Sequence, residues 1–229
     1  MPSPFLLCMI RRVKNTAEGK VKIMKVSLLG DSIRMQYGPV VKELLGDEFQ
    51  VWEPEENSRF SQYTLRELFD HERDMRGSDI VHWNCGHWDL CDLFGDGPFT
   101  PEDVFVDNML RILSILQKRH KVIIYATTTP LLKDGYNRNE VVERYNAIIT
   151  PILKERGVII NDLHALVMSD IGRYIDEEDP IHLNPKGIEV CASQVAEYIR
   201  AAAKSIENGT SESSVDDSET DKTGAPVLI

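Results

Sequence analysis

Five short apolar runs recur along the chain, and segments of helical period separate them. The runs, which we expect to form β-strands, are Lys25–Leu29, Phe49–Trp52, Asp79–Trp83, Val122–Ala126 and Val158–Asn161. Apolar residues return every three to four positions in residues 40–45, 64–73, 101–119, 139–156 and 186–204, as in amphipathic helices. The alternation predicts an α/β fold, a doubly wound parallel sheet covered by helices on both faces. Pro151 interrupts the fourth helical segment, so we expect a kink or break near Thr150.

The two ends of the chain do not share this pattern. Residues 1–23 precede the first strand and are expected to be an N-terminal extension that the fold does not need. Residues 24–205 are then a single domain, which is compatible with a chain of 229 residues. Residues 206–229 are rich in Ser, Thr, Asp and Glu and carry −5 of the net charge of −11, so they are predicted to be a disordered acidic tail.

Composition narrows the classes of partner. The chain has 42% hydrophobic and 28% charged residues, as soluble globular proteins do, and its Lys and Arg residues form no cluster that would bind nucleic acid. Phe5–Ile10 is too short for a membrane span and has the wrong flanks for a signal peptide, so we expect no membrane association and a cytoplasmic location. The four scattered cysteines favour a reducing compartment over a disulfide framework.

Candidate chemistry starts in the loop after the first strand, which reads Gly30-Asp31-Ser32. Ligands of doubly wound sheets bind beyond the carboxyl ends of the strands, where this loop is expected to lie. Taken alone, Ser32 is typical of a helix N-cap. As a nucleophile it needs a histidine that accepts its proton and a group that orients that histidine.

The segment Asp179-Pro-Ile-His182 offers both of these groups just before the last helix. Pro180 excludes a regular helix there, and a turn brings side chains three positions apart into hydrogen-bonding distance. Asp79 and His82 have the same spacing but fall in a predicted strand, which points them to opposite faces. Asp162 and His164 are better explained as a helix start.

A metal site is the alternative for the segment that follows the third strand. Its potential ligands are Cys85, His87, Asp89 and Cys91. Structural zinc sites combine two separated ligand pairs, and the sequence offers no second Cys/His pair. We therefore predict no metal and no cofactor.

The pairing of Gly30-Asp31-Ser32 with Asp179–His182, in these topological positions, resembles the SGNH (GDSL-type) hydrolases over about residues 25–204. The resemblance implies a flavodoxin-like three-layer fold and metal-independent ester hydrolysis. It also implies that Ser32 is the nucleophile, His182 the general base and Asp179 the carboxylate that orients it.

Two middle motifs of that family are altered here. The resemblance implies an oxyanion hole made by Ser32, a backbone N–H at Gln62, where the family has Gly, and a third donor after the third strand. Trp88 of Gly86-His-Trp-Asp89 stands where the family has Asn, so Trp88, Asn84 and His87 remain alternative third donors. We also expect Asp31, His87 and Trp88 to contact the substrate.

The resulting hypothesis is a serine esterase acting on a small acyl ester, first of all an O-acetyl group on carbohydrate. Carbohydrate enters through the resemblance alone. The altered middle motifs favour a different class, a catalytically impaired module that binds carbohydrate or ester. A phosphate or nucleotide binder that uses the turn at residues 30–32 ranks third, because the turn has one glycine and no Walker-type lysine follows.

Overall fold

The computed structural model describes the backbone of residues 23–213 and the side chains of residues 23–209. The strands form one parallel sheet in the order β2-β1-β3-β4-β5. They are β1 Met24–Leu29, β2 Phe49–Trp52, β3 Ile80–Asn84, β4 Val122–Ala126 and β5 Ile159–Asn161. Each predicted strand is confirmed to within one residue at either end.

The described residues form eight α-helices. They are α1 Ser32–Leu45, α2 Ser61–Asp70, α3 His87–Leu90, α4 Glu102–Gln117, α5 Asn139–Glu155, α6 Leu163–Met168, α7 Ile171–Tyr174 and α8 Pro185–Ser213. The five predicted helices correspond to α1, α2, α4, α5 and α8. The predicted segments miss α3 and α7, and they include of α6 only its start at Asp162, because four to six residues are too few to display a helical period.

Two apolar cores lie on opposite faces of the sheet, which makes three layers. Consecutive strand residues point to opposite faces, so Leu28 belongs to the core under α1 and α8, and Leu29 to the core under α2, α4 and α5. Both side chains are fully buried. A strand covered on both faces reads as a continuous apolar run, which is why the strands could be predicted from such runs. The flavodoxin-like doubly wound fold is confirmed.

Two predictions at the level of single elements need correction. The predicted break near Thr150 is wrong, because α5 continues through Pro151. Ile149 and Leu153, on either side of the proline, are fully buried, and this packing outweighs the backbone hydrogen bond that proline cannot make.

The second correction concerns the start of the acidic tail. Helix α8 runs to Ser213, and Ile206 packs against the core under α1 and α8. The helix therefore extends past residue 205. Residues 214–229 and the predicted extension up to residue 22 lie outside the described residues.

Two further features concern the cysteines and the helices. Cys85, Cys91 and Cys191 are free thiols, and Cys8 lies outside the described residues. Within residues 23–213, the structure contains no helix that combines the length and the apolar character required to cross a membrane.

The strand order places the switch point of the sheet between β1 and β3. The crossover after β1 leads to β2 on one side, and the crossover after β3 leads to β4 on the other, so the chain leaves these two neighbouring strands in opposite directions. A crevice opens at such a switch point, beyond the carboxyl ends of the two strands. The loop at residues 30–32 leads from β1 into this crevice.

The rival pair Asp79 and His82 has a structural role. The carboxylate of Asp79 forms an ion pair with Lys121 (3.0 Å), and His82 is fully buried in β3. Asn161 donates to His82 Nε2 (3.1 Å), which fixes the imidazole as a neutral ring. Burial lowers the pKa of His82 to about 3. Asp162, of the other rival pair, caps α6 by accepting from the Ala165 N–H (3.0 Å), as expected of a helix start.

The buried imidazole predicts a loss of stability in acid. An unfolded histidine titrates near pH 6.5, so between pH 6.5 and about 3 the unfolded chain binds a proton that folded His82 does not. At pH 5 this costs about 2 kcal/mol of unfolding free energy relative to pH 7.5. Urea unfolding measures the free energy of unfolding at both pH values. Its decrease from pH 7.5 to pH 5 should be about 2 kcal/mol smaller in His82→Gln than in the wild type. Equal losses in the two proteins would contradict the neutral buried state.

Candidate active site

The turn at residues 30–32 sets the position of Ser32 at the start of α1. Gly30 has a φ of 154°, and a β-carbon there would collide with the Asn84 amide. The carboxylate of Asp31 accepts from the Ile33 N–H (3.0 Å) and thereby caps α1. The cap is therefore Asp31, and Ser32, half-buried, is the first residue of the helix.

Ser32, His182 and Asp179 form a continuous hydrogen-bonded chain. His182 Nε2 lies 2.8 Å from Ser32 Oγ, and His182 Nδ1 lies 2.7 Å from Asp179 Oδ2. Because a carboxylate only accepts, Nδ1 carries the proton and Nε2 is left to accept the serine hydroxyl. Partial burial alone would raise the pKa of Asp179, but the hydrogen bond and charge of His182 outweigh it and hold that pKa below its usual value.

The loop that carries His182 is attached to the helix that carries Ser32. The side chain of Gln36, one turn along α1, donates to the Leu183 carbonyl and accepts from the Leu183 N–H, both at 3.0 Å. Asn184 caps α8 by accepting from the N–H groups of Lys186 (2.9 Å) and Gly187 (3.0 Å). The histidine is therefore fixed relative to the serine by the contacts of Gln36 with Leu183, the residue that directly follows it.

The Ser32–His182 pair opens into a cavity of about 340 Å³ at the carboxyl edge of the sheet. Its walls come from four loops and the first residues of two helices. The lining residues are Ser32, Asn57, His87, Trp88, Cys91, Leu93, Tyr136, Asn137, Ile181 and His182. Trp88, Leu93 and Tyr136 are all well exposed, so the mouth of the cavity has an apolar rim.

Asp89 connects the two middle loops under this cavity. Its buried carboxylate accepts from the Ser61 N–H (3.1 and 2.9 Å) and from the Ser61 hydroxyl (2.7 Å). The thiol of Cys85 also donates to it (3.3 Å). Burial raises the pKa of Asp89, and the hydrogen bonds from Ser61 oppose that rise. The start of α3, which holds His87 and Trp88, is thus tied to the start of α2.

The residues predicted after the third strand separate into two groups. His87 and Trp88 line the cavity, and their contact with a substrate stays a prediction. Asn84 does not line it, because its buried amide donates to Asp31 (2.7 Å) and accepts from the Tyr37 hydroxyl (3.2 Å). Asp31, which was expected to contact the substrate, is likewise buried and bonded to Ile33 and Asn84, and it is not among the lining residues.

Gln62 and His87 differ in the exposure of their side chains and in the hydrogen bonds that those side chains make. Gln62 is the second residue of α2, with an exposed side chain outside the cavity lining, and its backbone role stays a prediction. His87 is buried, with Nε2 bonded to the Thr129 hydroxyl (2.9 Å) and Nδ1 next to the Asn137 amide (3.4 Å). Burial lowers the pKa of His87.

Sequence reasoning did not anticipate Asn57, Tyr136, Asn137 or Ile181 as lining residues. They lie in loops without periodicity, and the family resemblance drew attention only to the segments around Asn57 and Ile181, for Gln62 and His182 respectively. Among residues 23–213, no group of three or more His, Cys, Asp and Glu side chains is arranged to hold a metal ion. His87 and Asp89, considered as ligands, bond to the neighbouring side chains instead.

No protein-family model matches the chain. An acetylxylan esterase of Xylanibacter ruminicola is 36% identical over 84 residues, which is 36% of this chain and 16% of that relative. The chain thus aligns with less than a fifth of the curated relative's length.

Solved structures match over most of their length. An acetyl xylan esterase, AlAXEase, has a TM-score of 0.66 at 19% identity, covering 77% of this chain and 100% of that one. A lipase/acylhydrolase from Enterococcus faecalis has a TM-score of 0.66 at 16% identity, covering 78% and 96%. A GDSL-like lipase from Bacteroides thetaiotaomicron has 0.62 at 14% identity, covering 79% and 90%. With its parallel sheet in this order and the Gly30–Ser32 turn at the switch point, the chain has the GDSL (SGNH) hydrolase fold.

Proposed function

We propose that this chain is a serine ester hydrolase that removes a small acyl group, with O-acetyl groups on carbohydrate as its first candidate substrate. The observation that carries the proposal is the hydrogen-bonded chain from Ser32 through His182 to Asp179 at the mouth of a cavity. Such a chain supplies a nucleophile, a base and an orienting carboxylate.

The proposed reaction uses each of these three groups. Ser32 Oγ attacks the carbonyl carbon of the ester while its proton passes to His182 Nε2, which lies 2.8 Å away. The carbonyl electron pair moves onto oxygen, and the tetrahedral intermediate collapses as the protonated His182 gives its proton to the departing alcohol. Water then attacks the acyl-enzyme by the same route and releases the acid. Asp179 holds the imidazole in the required tautomer throughout.

The cavity supports a small acyl group. Its volume of about 340 Å³ is near the lower end of ligand pockets, and its exposed rim of Trp88, Leu93 and Tyr136 suits the apolar face of a sugar ring. Acetylxylan esterases among the proteins of similar fold are a further, independent reason to test acetylated carbohydrate first.

The experiment compares p-nitrophenyl acetate, butyrate and octanoate with acetylated xylo-oligosaccharides, using the wild type and Ser32→Ala. We expect hydrolysis by the wild type that declines from acetate to octanoate, together with release of acetate from the oligosaccharides. A folded wild type that binds acetylated oligosaccharides and hydrolyses none of these esters would replace the proposal by a binding module. The altered residues Gln62 and Trp88 are the observation that favours this second candidate.

A further inference from the structure

The proposed reaction needs a third hydrogen-bond donor for the developing oxyanion. Trp88 takes the place of the expected asparagine, and its side chain belongs to the exposed rim. Asn84 is committed to Asp31 and Tyr37, and His87 to Thr129 and Asn137. None of the three donors considered from the sequence therefore combines an unbonded side-chain amide with a place in the wall of the cavity.

Asn57 combines both properties. It lines the same cavity as Ser32 and His182, and it lies in the loop between β2 and α2. Its Oδ1 accepts from the Arg59 N–H (2.8 Å), an Asx turn that fixes the orientation of the amide. Among the described residues, Nδ2 has no hydrogen-bond partner, so its two N–H groups are available to a ligand.

The loop that carries Asn57 is fastened directly to the turn before Ser32. Ser58 Oγ accepts from the Gly30 N–H (3.1 Å), and the Ser58 N–H donates to the Gly30 carbonyl (3.0 Å). The buried guanidinium of Arg34, in α1, donates to the carbonyl groups of Pro54 (3.0 Å) and Glu56. An oxyanion donor must be held in place before the reaction begins, and these contacts provide such support.

The backbone next to Asn57 is strained in a way that suggests a function. Arg59 has a φ of 49°, the one positive value among the non-glycine residues of the described chain. Such a conformation costs about 1–3 kcal/mol and tends to persist at functional sites. Here it closes the Asx turn that holds Oδ1 and leaves Nδ2 free.

We propose that the side-chain amide of Asn57 donates a hydrogen bond to the oxyanion and so replaces the asparagine that Trp88 displaces. This inference rests on the proposed function. As the bond between Ser32 Oγ and the carbonyl carbon forms, the carbonyl π electrons move onto oxygen, and Nδ2–H stabilises that charge without transferring its proton. Asn57 is then a catalytic residue.

The test separates donation from a structural role of the Asx turn. Asn57→Asp keeps an oxygen that accepts from the Arg59 N–H but removes the N–H donors, and Asn57→Ala removes both. If Asn57 donates to the oxyanion, kcat for p-nitrophenyl acetate should fall by about 10²–10³-fold in both variants, with little change in KM. Trp88→Phe, which removes the indole N–H from the cavity rim, tests the rival donor: its fall in kcat should be at least tenfold smaller than that of Asn57→Ala, whatever the change in KM. Thermal unfolding should show that all three variants are folded.

Two outcomes would overturn the inference. Wild-type kcat in Asn57→Asp would mean that the turn alone matters, and a loss of 10²-fold or more in Trp88→Phe would make the indole the donor. Both outcomes leave the wild type active. Failure of the proposed function is distinct, because the wild type itself would then not hydrolyse the ester.

Discussion

Replacing Ser32 by alanine is expected to lower kcat for p-nitrophenyl acetate by about 10⁵-fold or more, because no other group can supply the attacking oxygen. His182→Ala should cause a loss of similar size, since the hydroxyl 2.8 Å away would have no base to accept its proton. The Ser32→Ala/His182→Ala double variant should be hardly slower than either single variant, because residues that act as a unit are not additive.

Matched controls separate this effect from general damage to the protein. Ser114 is an exposed serine of α4, and His71 follows α2 away from the cavity lining. Ser114→Ala and His71→Ala should retain wild-type kcat. Losses that multiply in the double variant would mean that Ser32 and His182 act independently, contrary to a shared proton transfer.

Asp89→Ala is expected to lower the free energy of unfolding by about 2–6 kcal/mol, because a buried donor left unpaired costs about 1–3 kcal/mol. The N–H and the hydroxyl of Ser61 would both lose their acceptor. Hydrolysis should fall as well, since Asp89 ties the start of α3, with Trp88, to the start of α2. Urea unfolding at pH 7.5 measures the first effect and p-nitrophenyl acetate turnover the second.

Asp96 provides the control for Asp89. It lies on the exposed loop that follows α3, so Asp96→Ala should change the unfolding free energy by no more than about 0.5 kcal/mol. Asp89→Asn keeps one acceptor oxygen and should fall between alanine and the wild type. If Asp89→Ala is as stable as Asp96→Ala, the buried contacts to Ser61 contribute little to the fold.

The sequence predicted the sheet better than it predicted the loops. A parallel strand between two helical layers is apolar on both faces, so runs such as Val122–Ala126 mark the strands directly. Pro151 misled the prediction of α5, because local propensity does not include the packing of Ile149 and Leu153. Ile206 shows the same limit at the end of α8, where tertiary contact extends a helix into polar sequence.

At the site, the sequence indicated the residues that motifs encode and missed those that tertiary contacts place. Ser32, Asp179 and His182 followed from two motifs at topologically fixed ends of the fold, and the structure brings them together. The position of Asn57 depends on Arg34, more than 20 residues earlier, and on Ser58 reaching back to Gly30. Contacts of this separation leave no periodic signal in the sequence.

The central claim, that Ser32 is an activated nucleophile, is tested most directly by covalent labelling with a fluorophosphonate followed by peptide mass spectrometry. Attack by Ser32 Oγ forms an O–P bond as the P–F bond breaks, with fluoride leaving and the hydroxyl proton passing to His182. We predict one phosphonyl group, on the peptide that contains Ser32. Ester hydrolysis should be lost in proportion to labelling, and the Ser32→Ala variant should carry no label. A label on a different residue, or an unlabelled Ser32 in protein that still hydrolyses esters, would contradict the claim.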